Sequence, residues 1–307
     1  MIVALGHVAP VFLVIALGYL LRMLGLLREA AEVALSRLVF YVAAPLLLMR
    51  GIAVTPFSSS AHLPTIGVVI AASMFTAGLS YAVLRRSSPA RRGVLAQGTH
   101  RSNTFFFGLP IAVSALGEEV VGRSAVLIGC LVVIYNLLGV LLLSLPHRDL
   151  SARSLAVWGV AARRIALNPL ILGVAAGVVL SLSGIVLPQF LDRPVEMVGR
   201  TALPLALITL GAGLDLGRLR AELAPAAAVS AVKLIVYPAI VWLWLRELGL
   251  SGAALQAPVL LIASPVAVVS FIMAREMKGD ERLAGAIVIG STLLSVLTTV
   301  GWLMLFR

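Results

Sequence analysis

The sequence predicts an all-α membrane protein: ten transmembrane helices in two inverted five-helix repeats, with broken fourth and ninth helices. Three observations lead there: the composition, ten apolar runs joined by connections of alternating charge, and internal matches at a nearly constant offset. Hydrophobic residues make up 61% of the 307, charged residues 12%, and mean hydropathy is +1.08, above the range of soluble domains. A net charge of +11 would point a soluble protein toward nucleic acid. Here the basic residues sit between apolar runs, where they orient helices, so nucleic acid is not an expected partner. The lone Cys130, in VLIGCLVVI, allows neither a disulfide nor a cysteine metal site, and no metal or cofactor is expected. The first apolar run, VALGHVAPVFLVIALGYLL, has no basic leading region and is long enough to span, so it reads as a helix rather than a cleaved signal.

A span needs about 20 mostly apolar residues. Ten segments qualify, near 3–22, 36–54, 64–84, 93–117, 121–146, 166–187, 194–214, 223–246, 253–275 and 283–306. They are continuous and rich in Leu and Ala, which argues against the alternation of a barrel. The odd-numbered connections hold 16 Lys and Arg and the other side 6, while Arg101 and Lys233 fall inside apolar segments. By the positive-inside rule both termini lie outside the cytoplasm, in a multi-pass protein of the cell (inner) membrane.

VAAPLLL at 42–48 matches TALPLAL at 201–207, aligning Pro45 with Pro204 at an offset of 159; SAVLIG at 124–129 matches GAIVIG at 285–290 at 161. A duplicated unit of five spans must enter the membrane the second time from the opposite face, as in secondary transporters. The predicted organisation is a first repeat over 1–147, a cytoplasmic linker over 148–165 and a second repeat over 166–307.

The fourth and ninth spans occupy equivalent places, and both are interrupted. Asn103 lies ten residues from Gly93 and Pro265 eleven from Ala254. At about 1.5 Å per residue both sit ~15–17 Å deep, near the midplane. Proline removes a backbone donor, so the carbonyls around Ala263 and Ser264 need other partners, tolerable only against protein or a water-filled cavity. Half-helix N-termini meeting there suit an anion. Asn103 adds a donor and an acceptor, and the Arg101 guanidinium matches a carboxylate, although it could equally hold a neighbouring helix. Lys233 reads as snorkelling to the cytoplasmic face, His100 as a satisfied polar residue, Tyr135 and Asn136 as interhelical glue, and Asn168 as a helix start.

These residues carry a resemblance. The segments LSRLVFYVAAPLLLMRGIA, RSNTFFFGLPIAVSALGEE, LNPLILGVAAGVVLSLSGIVLP, ALPLALITLGAGLDL and FIMAREMKGDERLAGAIVIGSTLLS are similar to the auxin efflux carrier family in its short prokaryotic form. The resemblance implies broken, crossing fourth and ninth helices, a scaffold of helices 1, 2, 6 and 7, a moving transport domain of helices 3–5 and 8–10, homodimers, and organic anions carried by an elevator motion. The Pro-Asn break of the plant exporters falls on Ser102 and Asn103, so the asparagine is kept and the proline is not. Their Leu-Pro-Gln break falls on Ser264, Pro265 and Val266, their site tyrosine on Tyr135 and a nearby glutamine on Cys130. Their acidic and basic pair has no counterpart in AHLPTIG, and their long loop shrinks to about 148–164.

The combined expectation is a non-enzymatic secondary transporter of a small organic anion, a mono- or dicarboxylate or an auxin-like acid, working as an exporter in the lipid bilayer. Asn103, Arg101, Ser102, Tyr135, Ser264, Pro265 and Val266 would bind substrate, and Pro110, Pro45 and Pro204 would break or shape helices. The rivals are a sodium-coupled carrier of the bile-acid type, an intramembrane enzyme, whose clustered acids are missing here, and a sensor that binds without transporting.

Overall fold

The computed structural model describes residues 2–54, 62–145, 159, 163, 166–214 and 222–306. The predicted linker, 148–165, lies outside the described residues apart from Gly159 and Arg163, both helical. Among the described residues the chain is helical, with a single isolated bridge and no strand. In order the helices are α1 (Ile2–Met23), α2 (Glu29–Leu38), α3 (Ala44–Ala53), α4 (Leu63–Val83), α5 (Pro89–Gly98), α6 (Leu109–Leu116) and α7 (Val120–Ser144). There follow α8 (Pro169–Ser183), α9 (Gln189–Arg200), α10 (Ala202–Ala212), α11 (Leu223–Ala231), α12 (Tyr237–Glu247), α13 (Gly252–Ile262), α14 (Val269–Glu276) and α15 (Glu281–Leu305). Among the described residues six helical stretches are long and apolar enough to cross a membrane: Glu29–Ala53, Leu63–Arg86, Val120–Ser144, Gln189–Ala212, Leu223–Glu247 and Glu281–Leu305. Val8–Met23, Thr104–Leu116, Pro169–Ser183 and Gly252–Ile262 are apolar but shorter.

Prolines explain most of the irregular turns. A proline at position i leaves the carbonyl of i−4 without its donor and crowds the turn before it, and a wider turn relieves both. Turns of π-helix at Val39–Ala43, Thr104–Gly108 and Val232–Val236 each end two residues before a proline, Pro45, Pro110 and Pro238. The Ala44 N–H accordingly bonds to Val39 O and the Tyr237 N–H to Val232 O, both five residues back. Pro204 acts differently: α9 and α10 are interrupted at Thr201, three residues before it. Pro110, expected to break or shape a helix, lies inside the continuous helix Thr104–Leu116, where the π-turn before it accommodates the missing donor; the interruption itself is at 99–103.

The contacts divide the chain into two compact units. The first comprises Met1–Leu63, Phe105–Val132 and Ala166–Leu214. In it α1 packs on α10 and α3 on α8. Glycine makes the close approach: a Cβ on Gly18 would collide with the backbone of Ile208, and one on Gly177 with the backbone of Met49. Arg22, in the last turn of α1, donates to Ala212 O at the end of α10 (3.0 Å), satisfying a terminal carbonyl. Arg50 grips Asp192 through Nε and Nη2 (2.8 and 3.0 Å) and reaches Glu196 (3.2 Å), joining α3 to α9.

The second unit comprises Pro64–Thr104, Val133–Ile165 and Asp215–Arg307. Its core of Val94, Val229, Leu283, Ala286 and Ile287 gathers α5 and α11 around α15. Trp302 Nε1 donates to Leu234 O (2.9 Å), the carbonyl that Pro238 deprives of its helical partner. At one end of the unit Arg91 binds Glu222 (2.7 Å) and Asp280 (3.0 Å), tying the starts of α5, α11 and α15 together.

Two expectations follow. Gly18→Ala should destabilise the fold by about 1–3 kcal/mol, because its new methyl meets backbone rather than a movable side chain, whereas Gly6→Ala, with open space around it, is a near-neutral control; thermal unfolding of both checks this. The Arg91 guanidinium holds the Glu222 carboxyl below its ordinary value. A depressed carboxyl contributes stability that is present above the unfolded-state value and lost as the pH falls through the folded one. Glu222→Gln should therefore remove part of the acid sensitivity of unfolding, by about 1 kcal/mol or less for this partly exposed pair.

Candidate functional site

Two interrupted helices cross inside the second unit. α5 ends at Gly98 and α13 at Ile262, and beyond each the chain runs extended for a few residues. Ser102 and Val266 face each other in an antiparallel bridge. Asn103 N–H donates to Pro265 O (2.8 Å) and Ala267 N–H to Arg101 O (3.3 Å), so the two breaks pair backbone to backbone. The two expected breaks thus meet, and the residues that pair are buried.

Each helix end there leaves carbonyls without intrahelical donors. For α5, Ala96 O accepts from the Thr99 hydroxyl (2.8 Å) and contacts His100 Nδ1 (3.1 Å). For α13, Leu261 O, which Pro265 deprives of its donor, accepts from Ser264 Oγ (2.7 Å). Ile262 O accepts from Ser102 Oγ (3.0 Å) and from Lys233 Nζ (2.5 Å), and Ser264 O accepts from the same ammonium (2.7 Å). The Val266 N–H donates to Ser291 Oγ (3.0 Å) on α15.

The expected site residues thus fall into distinct roles. Ser102, Ser264 and Pro265 hold the break together, with Ser264 fully buried and Val266 1% exposed. Tyr135, on α7, donates its hydroxyl to Ser102 Oγ (3.3 Å) and meets Tyr237 OH (3.2 Å), which in turn pairs with Ser73 Oγ (2.7 Å). Arg101 donates to Tyr135 O (2.7 Å) and Asn136 Oδ1 (3.1 Å), so two of its N–H groups hold α7. Asn103 differs: the residue is 5% exposed, and among the described residues its side-chain amide meets no hydrogen-bond partner and keeps a little accessible surface. A ligand or water can complete it. Pro45 and Pro204 lie in the first unit, on α3 and α10, and Pro110 opens α6; none of the three joins the crossing.

Lys233 does not snorkel. It is 0% exposed and turned inward onto the ninth-span break. The same depth count that singles out Asn103 marks it: Lys233 lies ten residues past Leu223, again ~15 Å into a span, too deep for its stem to reach an interface. Ser291, Tyr237 and Ser73 carry no such signal, because serine and tyrosine are ordinary in membrane helices. His100 is satisfied at Nδ1 while Nε2 has no partner. Arg101 and Lys233 are the buried charges among the described residues, and no carboxylate is buried with them.

Removing the Ser291 hydroxyl leaves the Val266 N–H without its acceptor. Ser291→Ala should cost about 1–3 kcal/mol in unfolding free energy, and Ser291→Thr, which restores a hydroxyl, should recover most of it.

The profile of the membrane transport protein family matches residues 3–303. A Rhizobium meliloti protein named "Putative malonate transporter" is 28% identical over 312 residues, covering 98% of this chain and 95% of the relative. An "Uncharacterized transporter" of Methanothermobacter thermautotrophicus is 25% identical over 299 residues, covering 96% of each. A further uncharacterized transporter, of Methanocaldococcus jannaschii, is 23% identical over 315 residues, covering 96% of this chain and 97% of the relative.

Proposed function

We propose that this chain, which belongs to the auxin efflux carrier family of membrane transport proteins, is a secondary carrier of a small organic anion, with a dicarboxylate favoured over a monocarboxylate. The observation that carries the reading is the pair of buried cations, Arg101 and Lys233, with no buried carboxylate beside them and the open amide of Asn103 at the crossing. Buried charge is tolerated when it is matched, and an entering dianion would match it. Carbonyls that accept from Lys233 solvate its charge without cancelling it. The name of the Rhizobium relative, which specifies a three-carbon dicarboxylate, points the same way. In this reading Asn103 orients the substrate, Arg101 supplies attraction while anchored to α7, and Tyr135, Ser102, Ser264, Pro265 and Val266 keep the crossing in shape.

The proposed architecture is ten spans in two inverted repeats, 1–147 and 166–307, with the first unit as scaffold and the second as an elevator that carries the site. Contacts inside the first unit support the repeat. Gly18 packs against Ile208, and adding 159 to Gly18 gives Gly177, whose neighbour Met49 becomes Ile208 under the same shift. That is the offset at which Pro45 aligns with Pro204. A homodimer, export as the net direction, and both termini on the non-cytoplasmic side of the inner membrane complete the proposal.

The test is thermal stabilisation of the purified chain by malonate, succinate, acetate and indole-3-acetate. A ligand at a hundred times its Kd should stabilise the native state by about 2.7 kcal/mol. Stabilisation by a dicarboxylate, lost in Asn103→Ala, is the expected outcome; equal stabilisation of both proteins would move the site elsewhere, and none by any anion would sink the anion reading.

A further inference from the structure

Lys233 has an unusual position for a membrane lysine. Its ammonium meets the C-terminal end of a half-helix, α13, where the last carbonyls of the ladder point at it. The negative end of a helix dipole and two carbonyl oxygens form the setting in which carriers with interrupted helices place a coupling sodium ion. Here that setting is occupied by the chain itself. A carbonyl oxygen has two lone pairs, and those of Ile262 are both engaged, by Lys233 Nζ and Ser102 Oγ. Leu261 O is taken by Ser264 Oγ, Pro265 O by the Asn103 N–H and Ser264 O by Lys233. Among the described residues no group of three or more His, Cys, Asp or Glu stands ready to hold an ion instead.

We propose that Lys233 is a resident cation that replaces a coupling sodium ion: its tethered ammonium permanently fills the cation position at the break of the ninth span, so transport by this chain does not draw on a sodium gradient. Sodium needs several oxygen ligands at short range, and the amine already takes the oxygens nearest the break. The inference rests on the chain being a transporter and is independent of which anion it carries.

The first experiment therefore contains no organic anion. The melting temperature of the purified full chain is compared in sodium chloride and in choline chloride at equal ionic strength, for wild type, Lys233→Ala and Lys233→Met. Wild type should melt at the same temperature in both salts. Lys233→Ala, which leaves two buried carbonyls short of a donor and opens a cavity, should melt lower by roughly 5–10 °C. Sodium or methylammonium should recover part of that loss in a saturable way. Lys233→Met fills the cavity without a charge and should stay low in every salt. A sodium-dependent rise in wild type overturns the proposal, as does a Lys233→Met protein as stable as wild type, or a Lys233→Ala protein that neither cation stabilises. If Lys233→Ala yields no folded protein, Lys233→Arg should fold, and the wild-type comparison decides. In proteoliposomes, malonate counterflow by wild type should be unchanged when choline replaces sodium. Counterflow that needs sodium would overturn the proposal, whereas absence of malonate counterflow in both salts would count against the anion reading and leave the stability result to decide this one.

Discussion

A carbonyl that leaves a helix within a hydrocarbon layer must find a donor in the protein, since no lipid can supply one. Around the paired breaks that follow α5 and α13 this requirement dictates the identity of nearly every polar neighbour. Ser264 serves Leu261 O, Ser102 and Lys233 serve Ile262 O, and the backbone of Asn103 serves Pro265 O. Ser264 is local to its own break, but Ser102 and Asn103 come from the break after α5 and Lys233 from the turn between α11 and α12, so these segments are held by one set of bonds. Tyr135 and Tyr237 extend it to α7 and, through Ser73, to α4.

The same constraint separates what is saturated from what is open. Ser102, Ser264 and Lys233 spend their donors on backbone, and Arg101 spends two on α7. The Asn103 amide, without a partner among the described residues, and the buried His100 Nε2, likewise unpartnered, have hydrogen-bonding capacity left. In the proposed function attraction and recognition are thereby divided: anchored cations would provide a long-range field that weakens little in a medium of low dielectric, while the Asn103 amide would provide local, directional contact. A field built from anchored groups needs no rearrangement when an anion arrives.

Outside the crossing, small residues and prolines shape the helices. Gly18 and Gly177 let backbones touch in the first unit, the arrangement that packs helices where no hydrophobic effect drives them together. Proline before a turn of α3, α6 or α12 widens the turn preceding it, and in the last case the exposed carbonyl is closed by Trp302. Curvature is thus written locally, but its repair comes from side chains far along the chain.

Membrane class, helical content, family and the helix breaks at 99–103 and 263–268 were legible in the residues alone. Long apolar runs and prolines at a countable depth act over a few residues, so their consequences are local. The place of Asn103 at a break was legible for the same reason. Lys233 was misread as snorkelling, Arg101 stood open between a helix partner and a ligand, and Ser291 was invisible. Whether a buried cation turns toward an interface, a carbonyl or an anion depends on which atoms face it. Residues 29 and 31 positions away face Lys233, and those 34 and 35 away face Arg101, across helix packing that no local pattern encodes. Only the folded backbone decides such partnerships, because it alone brings the orphaned carbonyls of one helix within reach of a side chain on another.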